Sequence, residues 1–178
     1  MLNDDLHTKE ELNEFAKAVV RGAESNLIKM GKRGSGGLYN SLDHAIEATS
    51  KGYTIKFFAE DYAEYVDKGV SGTEVKYVTP YSFTNKMPPR LNILAWVNKK
   101  RMRLRDDKGK FKKGGQNTLA FLIQRHIFKK GIKPSLFFTK PFEQYFEELP
   151  DHLGKAYVLD VEKYIQRKFT GENDGTNI

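Results

Sequence analysis

The sequence predicts a mixed α+β fold, helices interrupted by β-hairpins. Three observations lead there. Apolar residues recur at helical spacing in several segments, first at Leu12, Phe15, Val19, Leu27 and Met30. The β-prone run YTIKFF follows the turn pair Lys51-Gly52. Cations alternate with apolar residues through RMRLR and continue past DDKG into KFKK, the pattern of a second, highly charged hairpin.

Each element follows from local signals. Thr8 and Glu11 have the spacing of a capping box, so a long first helix is expected over about residues 9–30. GKRGSGG stops it, because four glycines in seven residues supply a connection and not a helix. Residues 38–48 fit a short helix or a strand, and 53–58 form one arm of a hairpin. EDYAEYVDKG reads as a short helix closed by Gly69. Residues 71–90, with Pro80, Pro88 and Pro89, read as an extended loop. Leu91, Leu94, Ala95, Trp96 and Val97 predict a helix over 91–100 that docks on the core.

The basic hairpin is expected over 101–113 with its turn at 107–109, Arg101, Arg103 and Arg105 on one face and Met102 and Leu104 on the other. Leu119, Leu122, Ile123 and Ile127 predict a helix over 117–130 that stops at Gly131. Past Pro134, a helix over 141–149 opens on Pro141, and a separate last helix over 151–168 repeats Tyr157, Val161, Tyr164 and Ile165. The polar tail 170–178 is expected to be disordered. The expected organisation is a single domain over 1–169 with 71–115 as an insertion.

Composition narrows the function classes. A chain of 178 residues with 39% hydrophobic residues can bury a core. Without cysteine it has no disulfide framework, thiolate nucleophile or Cys-based zinc site. The acidic start MLNDDLHTKEEL lacks the apolar segment of a secretory signal, and the longest purely apolar run, LAFLI, is far too short for a membrane span. A soluble intracellular product is expected, and a reducing compartment is compatible with it.

Charge is concentrated. Residues 99–113 hold nine Lys or Arg against Asp106 and Asp107, a net +7, and the whole chain holds 30 against 23, also +7. One element therefore accounts for the excess. Arg101, Arg103, Arg105, Lys108, Lys110, Lys112 and Lys113 fit contact with DNA phosphates or with an acidic protein neighbour, and a merely solvated hairpin is the plain alternative. Phe111 alone is interleaved as an aromatic, which gives base stacking little support.

Catalytic and metal motifs are sparse. His7, His44, His126 and His152 lie apart from one another, and no nucleophile motif accompanies them. Glu60, Asp61, Glu64 and Asp67 would share one helical face, suited to a hard cation or simply to solvent. Asp67 with Glu74-x-Lys76 has the outline of a magnesium nuclease signature, although the turn GVSG separates its parts. GKRGSGG matches neither phosphate-loop nor dinucleotide-loop spacing. No catalytic residue, metal ligand or cofactor is assigned.

Three segments, GGLYNSLDHAIE, YTIKFFAEDYAEYVDKGVSG and KKGIKPSLFFTKPFEQYF, together resemble the tail-completion, or neck, proteins of tailed double-stranded DNA bacteriophages. The matching positions are Leu38 to Ser41 before the hairpin, then Tyr62, Ala63, Tyr65, Val66, Asp67 and Gly69, then Gly131, Phe137 and Phe138. Asp67 stands where the family often has Glu, and 71–115 is longer than its pattern needs.

The resemblance implies a bent antiparallel sheet with a long N-terminal helix and further helices packed on it. It also implies a virion structural role: a homo-oligomeric ring, six- or twelvefold, between the portal or its adaptor and the tail, assembled in the host cytoplasm without a membrane. Tyr62, Tyr65, Phe137 and Phe138 would be core or subunit interface, core being favoured for most. The basic hairpin would face the DNA channel or reach an acidic groove on the adjoining ring. The groove is preferred, because DNA must slide out. The alternative function is a cytoplasmic DNA-binding accessory protein or a magnesium-dependent nuclease.

Overall fold

The structure is a computed structural model that describes residues 6–32, 36–50, 52–112 and 115–170. Its elements are α1 (Leu6–Lys29), α2 (Gly37–Ser41), β1 (Asp43–Thr49), β2 (Gly52–Phe58), α3 (Ala63–Lys68), α4 (Arg90–Lys99), α5 (Gln116–Lys130) and α6 (Thr139–Thr170). This is an α+β fold: a long N-terminal helix, further helices and a two-stranded antiparallel sheet. The chain divides into two compact units, one formed by Met1–Ala63 with Phe137–Ile178 and the other by Glu64–Leu136. Parts of GKRGSGG and of the basic segment, and the tail 171–178, lie outside the described residues.

In the first unit, Leu12, Phe15 and Val19 of α1 form a buried cluster with Leu149 of α6. The hairpin supplies its sheet-side cover. Asp43 pairs with Phe58 and Thr49 with Gly52, and in this register Tyr53, Ile55 and Phe57 turn inward while Thr54, Lys56 and Phe58 are exposed. Phe57 meets Phe138 edge-on at 5.2 Å, and Phe15 meets Phe142 at 5.8 Å, the edge-to-face geometry that aromatic quadrupoles favour. Gly22 permits the close approach of α1 and α6, since a Cβ there would lie 2.6 Å from that of Pro141.

Two expectations are corrected here. Thr8 and Glu11 do not form a capping box, because α1 already includes Leu6 and His7. The backbone N–H groups of His7 and Thr8 donate instead to the carboxylate of Asp160 on α6, at 2.9 and 2.8 Å, and the Thr8 hydroxyl donates to it at 2.6 Å. Glu11 meets His152 Nδ1 at 2.8 Å. Both residues of the expected cap are thus bonded to another helix.

The two helices expected over 141–149 and 151–168 are one, with Pro150 inside it. A proline in a helix interior forfeits one backbone bond and crowds the preceding turn, a cost of about 3 kcal/mol. Phe142, Tyr145, Leu149, Leu153, Ala156 and Asp160, however, fall three or four residues apart on one stripe that runs past the proline. All are at least partly buried, so packing on both sides holds the helix together.

The second unit has a thinner core. Its buried apolar side chains among the described residues are Val70, Val97 and Ala120. Backbone bonding does more of the holding. Val70 and Ile132 exchange N–H···O bonds of 2.8 Å, Ser71 bridges to Ser82, and Ser135 and Leu136 donate to the Asp67 carbonyl. Glycines make this clasp possible. A Cβ on Gly69 would lie 2.5 Å from the Ile132 carbonyl oxygen, on Gly72 2.2 Å from that of Lys129, and on Gly131 2.2 Å from that of Val70. Gly69 and Gly131 also sit at φ +74° and +76°, in the left-handed region.

Candidate interaction surface

The basic segment begins where α4 ends. Met102 N–H donates to the Val97 carbonyl and Arg101 N–H to that of Asn98, with Arg101 at φ 51°. This is the Schellman closure, in which the left-handed position is usually glycine. An arginine there carries strain of roughly 1 kcal/mol. The chain then extends, with Arg101, Arg103 and Arg105 exposed and Met102 and Leu104 half-buried. The expected two-faced alternation is present. The expected ladder is reduced to a single antiparallel bridge, Arg105 to Phe111.

Asp106 explains how so short a loop closes. Its Oδ1 accepts the backbone N–H groups of Lys108 at 3.0 Å and Lys110 at 2.8 Å, while Gly109, at φ 77°, donates to its carbonyl. The arginines gain a platform. The guanidinium carbon of Arg105 lies 4.5 Å and that of Arg103 5.9 Å from the centre of the Phe111 ring. Among the described residues, none of Lys99, Arg101, Arg103, Arg105, Lys108, Lys110 and Lys112 has a carboxylate partner. Lys113 lies outside the described residues.

Elsewhere in the same unit, three cations are paired with carboxylates. Glu64 bonds Lys68 at 2.7 Å, and Lys68 with Tyr81 holds its carboxyl below the usual range. Glu74 accepts from both Lys129 and Lys130, which lower its pKa in that order. Lys129 and Lys130 were absent from the sequence-derived set, and fifty-five residues separate Lys129 from its partner, so no local pattern announces the pairing.

The remaining sequence candidates disperse. Lys76 donates to the Gly72 carbonyl at 2.9 Å, and Glu74 is engaged by Lys129 and Lys130. Glu60 and Asp61 precede α3 and do not join the helical face expected for the four carboxylates, because the Ala63 N–H donates back to the Glu60 carbonyl in a turn. Among the described residues no three His, Asp or Glu side chains converge on a common point. Tyr62 and Tyr65 are each 45% exposed and do not enter the core; Tyr65 packs edge-on against Tyr81 at 4.7 Å. Phe137 is fully buried, its carbonyl accepting from Asn26, and Phe138 lies between Phe57 and Phe142.

No protein-family model matches the chain, and comparison with curated proteins and with solved structures finds no similar protein.

Proposed function

We propose that the chain is a structural subunit of the neck of a tailed double-stranded DNA bacteriophage, several copies closing a ring between the portal or its adaptor and the tail around a channel for the genome. The observation that carries this reading is the glycine clasp. Two of the three segments behind the resemblance, 53–72 and 129–146, meet there backbone to backbone. Gly69 and Gly131, two of the matching positions, are required by left-handed φ and by contacts that no Cβ could share. These two matching positions thus have a structural reason to be glycine, which supports the reading.

The last turns of α6 support a subunit completed by its neighbours. Val158, Ile165 and Phe169 are 54%, 46% and 88% exposed, with Tyr157 and Tyr164 beside them. They recur at helical spacing on both sides of Asp160, the residue bonded to the first turn of α1. In a closed head-to-tail ring this stripe is buried against the next copy.

Size-exclusion chromatography with light scattering tests the reading. The expected particle is a discrete multiple of the 20.4 kDa chain, reduced to single chains by Val158→Glu with Ile165→Glu. A magnesium-dependent cleavage activity abolished by Glu74→Ala would overturn it in favour of a nuclease.

A further inference from the structure

The two units differ sharply in charge. The unit Glu64–Leu136 carries seventeen Lys or Arg against five Asp or Glu, a net +12, whereas the rest of the chain carries thirteen against eighteen, a net −5. The excess is not spread evenly inside the positive unit. Glu64 and Glu74 already neutralise Lys68, Lys129 and Lys130, while among the described residues Lys99, Arg101, Arg103, Arg105, Lys108, Lys110 and Lys112 have no carboxylate partner. Asp106, one of two carboxylates in the ribbon, accepts two backbone N–H groups of its own turn.

From this we propose that the ribbon 99–112 binds the phosphate backbone of duplex nucleic acid, without reading base sequence. Three features choose this partner over an acidic protein. Protein interfaces have apolar centres depleted in lysine, whereas the ribbon exposes a single large apolar side chain, Phe111, 58% exposed and lying under two guanidinium groups. Interfaces with nucleic acid are far more positively charged and tolerate such a surface. Arg101 keeps its charge at a left-handed position that glycine would occupy without strain, and backbone strain of this kind collects at functional sites.

The guanidinium groups of Arg103 and Arg105 lie over the Phe111 ring, and although Arg105 Nη1 donates to the Gly109 carbonyl at 3.4 Å, their other N–H groups can donate outward. The segment has no Asn or Gln to pair with adenine and no second aromatic for stacking, and its arginines and lysines suit phosphate oxygens; a guanine preference in the test below would show base contact instead. Contacts of this class also permit sliding along DNA, which removes the objection that a cationic collar would arrest a moving genome. The inference rests on the neck reading only in taking that duplex to be a viral genome.

Fluorescence anisotropy of the full chain with a labelled mixed-sequence duplex of roughly 30 base pairs, from about 50 to about 300 mM salt, tests it. Seven phosphate contacts predict a slope of log K against log salt near −6, with similar affinity for unrelated sequences. Arg101→Glu with Arg103→Glu and Arg105→Glu is expected to weaken binding about 100-fold or more at the lowest salt. Arg103→Gln with Arg105→Gln, which leaves the α4 terminus untouched, is expected to weaken it about 10-fold and to keep the melting temperature. No binding at about 50 mM salt, a slope shallower than about −2, or equal affinity for polyglutamate of matched length would overturn the proposal. A ring that ignores the duplex would sink this inference alone. A monomer that binds it would sink the neck reading alone.

Discussion

At the residue scale, Asp160 shows how one buried carboxylate ties two helices together. Burial alone would raise its pKa, but the Thr8 hydroxyl and the backbone N–H groups of Thr8 and His7 outweigh that and hold it below the usual carboxylate value. Its charge also sits at the positive end of α1. Asp160→Ala leaves three donors without their acceptor and should cost about 2 kcal/mol, a fall in melting temperature of roughly 4–8 °C. Because the folded pKa is depressed, this stabilisation is complete above the unfolded carboxylate value near pH 4 and is lost as pH falls through the folded value. Wild type and variant should therefore differ fully at neutral pH and converge in acid. A difference that persisted undiminished well below pH 3 would assign the effect to packing. Arg101→Gly should relieve the strained turn and raise stability by roughly 1 kcal/mol, measured by urea denaturation. The sequence pointed to Thr8 as a cap but not to Asp160, because a partner 152 residues away leaves no local spacing to read.

At the element scale, what periodicity controls was legible and what tertiary packing controls was not. The stripe Leu12, Phe15, Val19 and Leu27, the stop of α5 at Gly131, and the β1–β2 hairpin all follow from local pattern. The continuity of α6 through Pro150 does not, since a stripe of contacts with α1 overrides a local breaker. The basic ribbon was legible as charge and alternation. Its single bridge, its Asp106-centred turn and the Phe111 platform were not. Glycines in the two settings should behave in opposite ways. Gly131→Ala forces a side chain into left-handed backbone against the Val70 carbonyl and should destabilise by about 3 kcal/mol or more. Gly154→Ala, inside α6 with nothing near its Cβ, should stabilise by about 0.5–1 kcal/mol. Chemical denaturation of both variants checks the pair; a harmless Gly131→Ala would mean that the clasp is not required.

At the scale of the whole molecule, the chain combines a well-filled unit of net −5 with a thin-cored unit of net +12. Self-repulsion weakens a compact state, so the positive unit has most to gain from a polyanion. Duplex DNA should accordingly raise its melting temperature, and hydrogen-exchange protection at Val70, Ser71 and Ile132 should increase. The negative unit should change little. The concentration of charge was visible in the sequence, whereas its division between units became visible only once the fold had drawn 64–136 together. The neck reading has one direct measurement: mass spectrometry and symmetry-resolved electron microscopy of purified particles from cells that carry this coding sequence. The account predicts the chain in finished particles, as a closed ring between head and tail. Finished particles with an intact neck and no copy of the chain would contradict it.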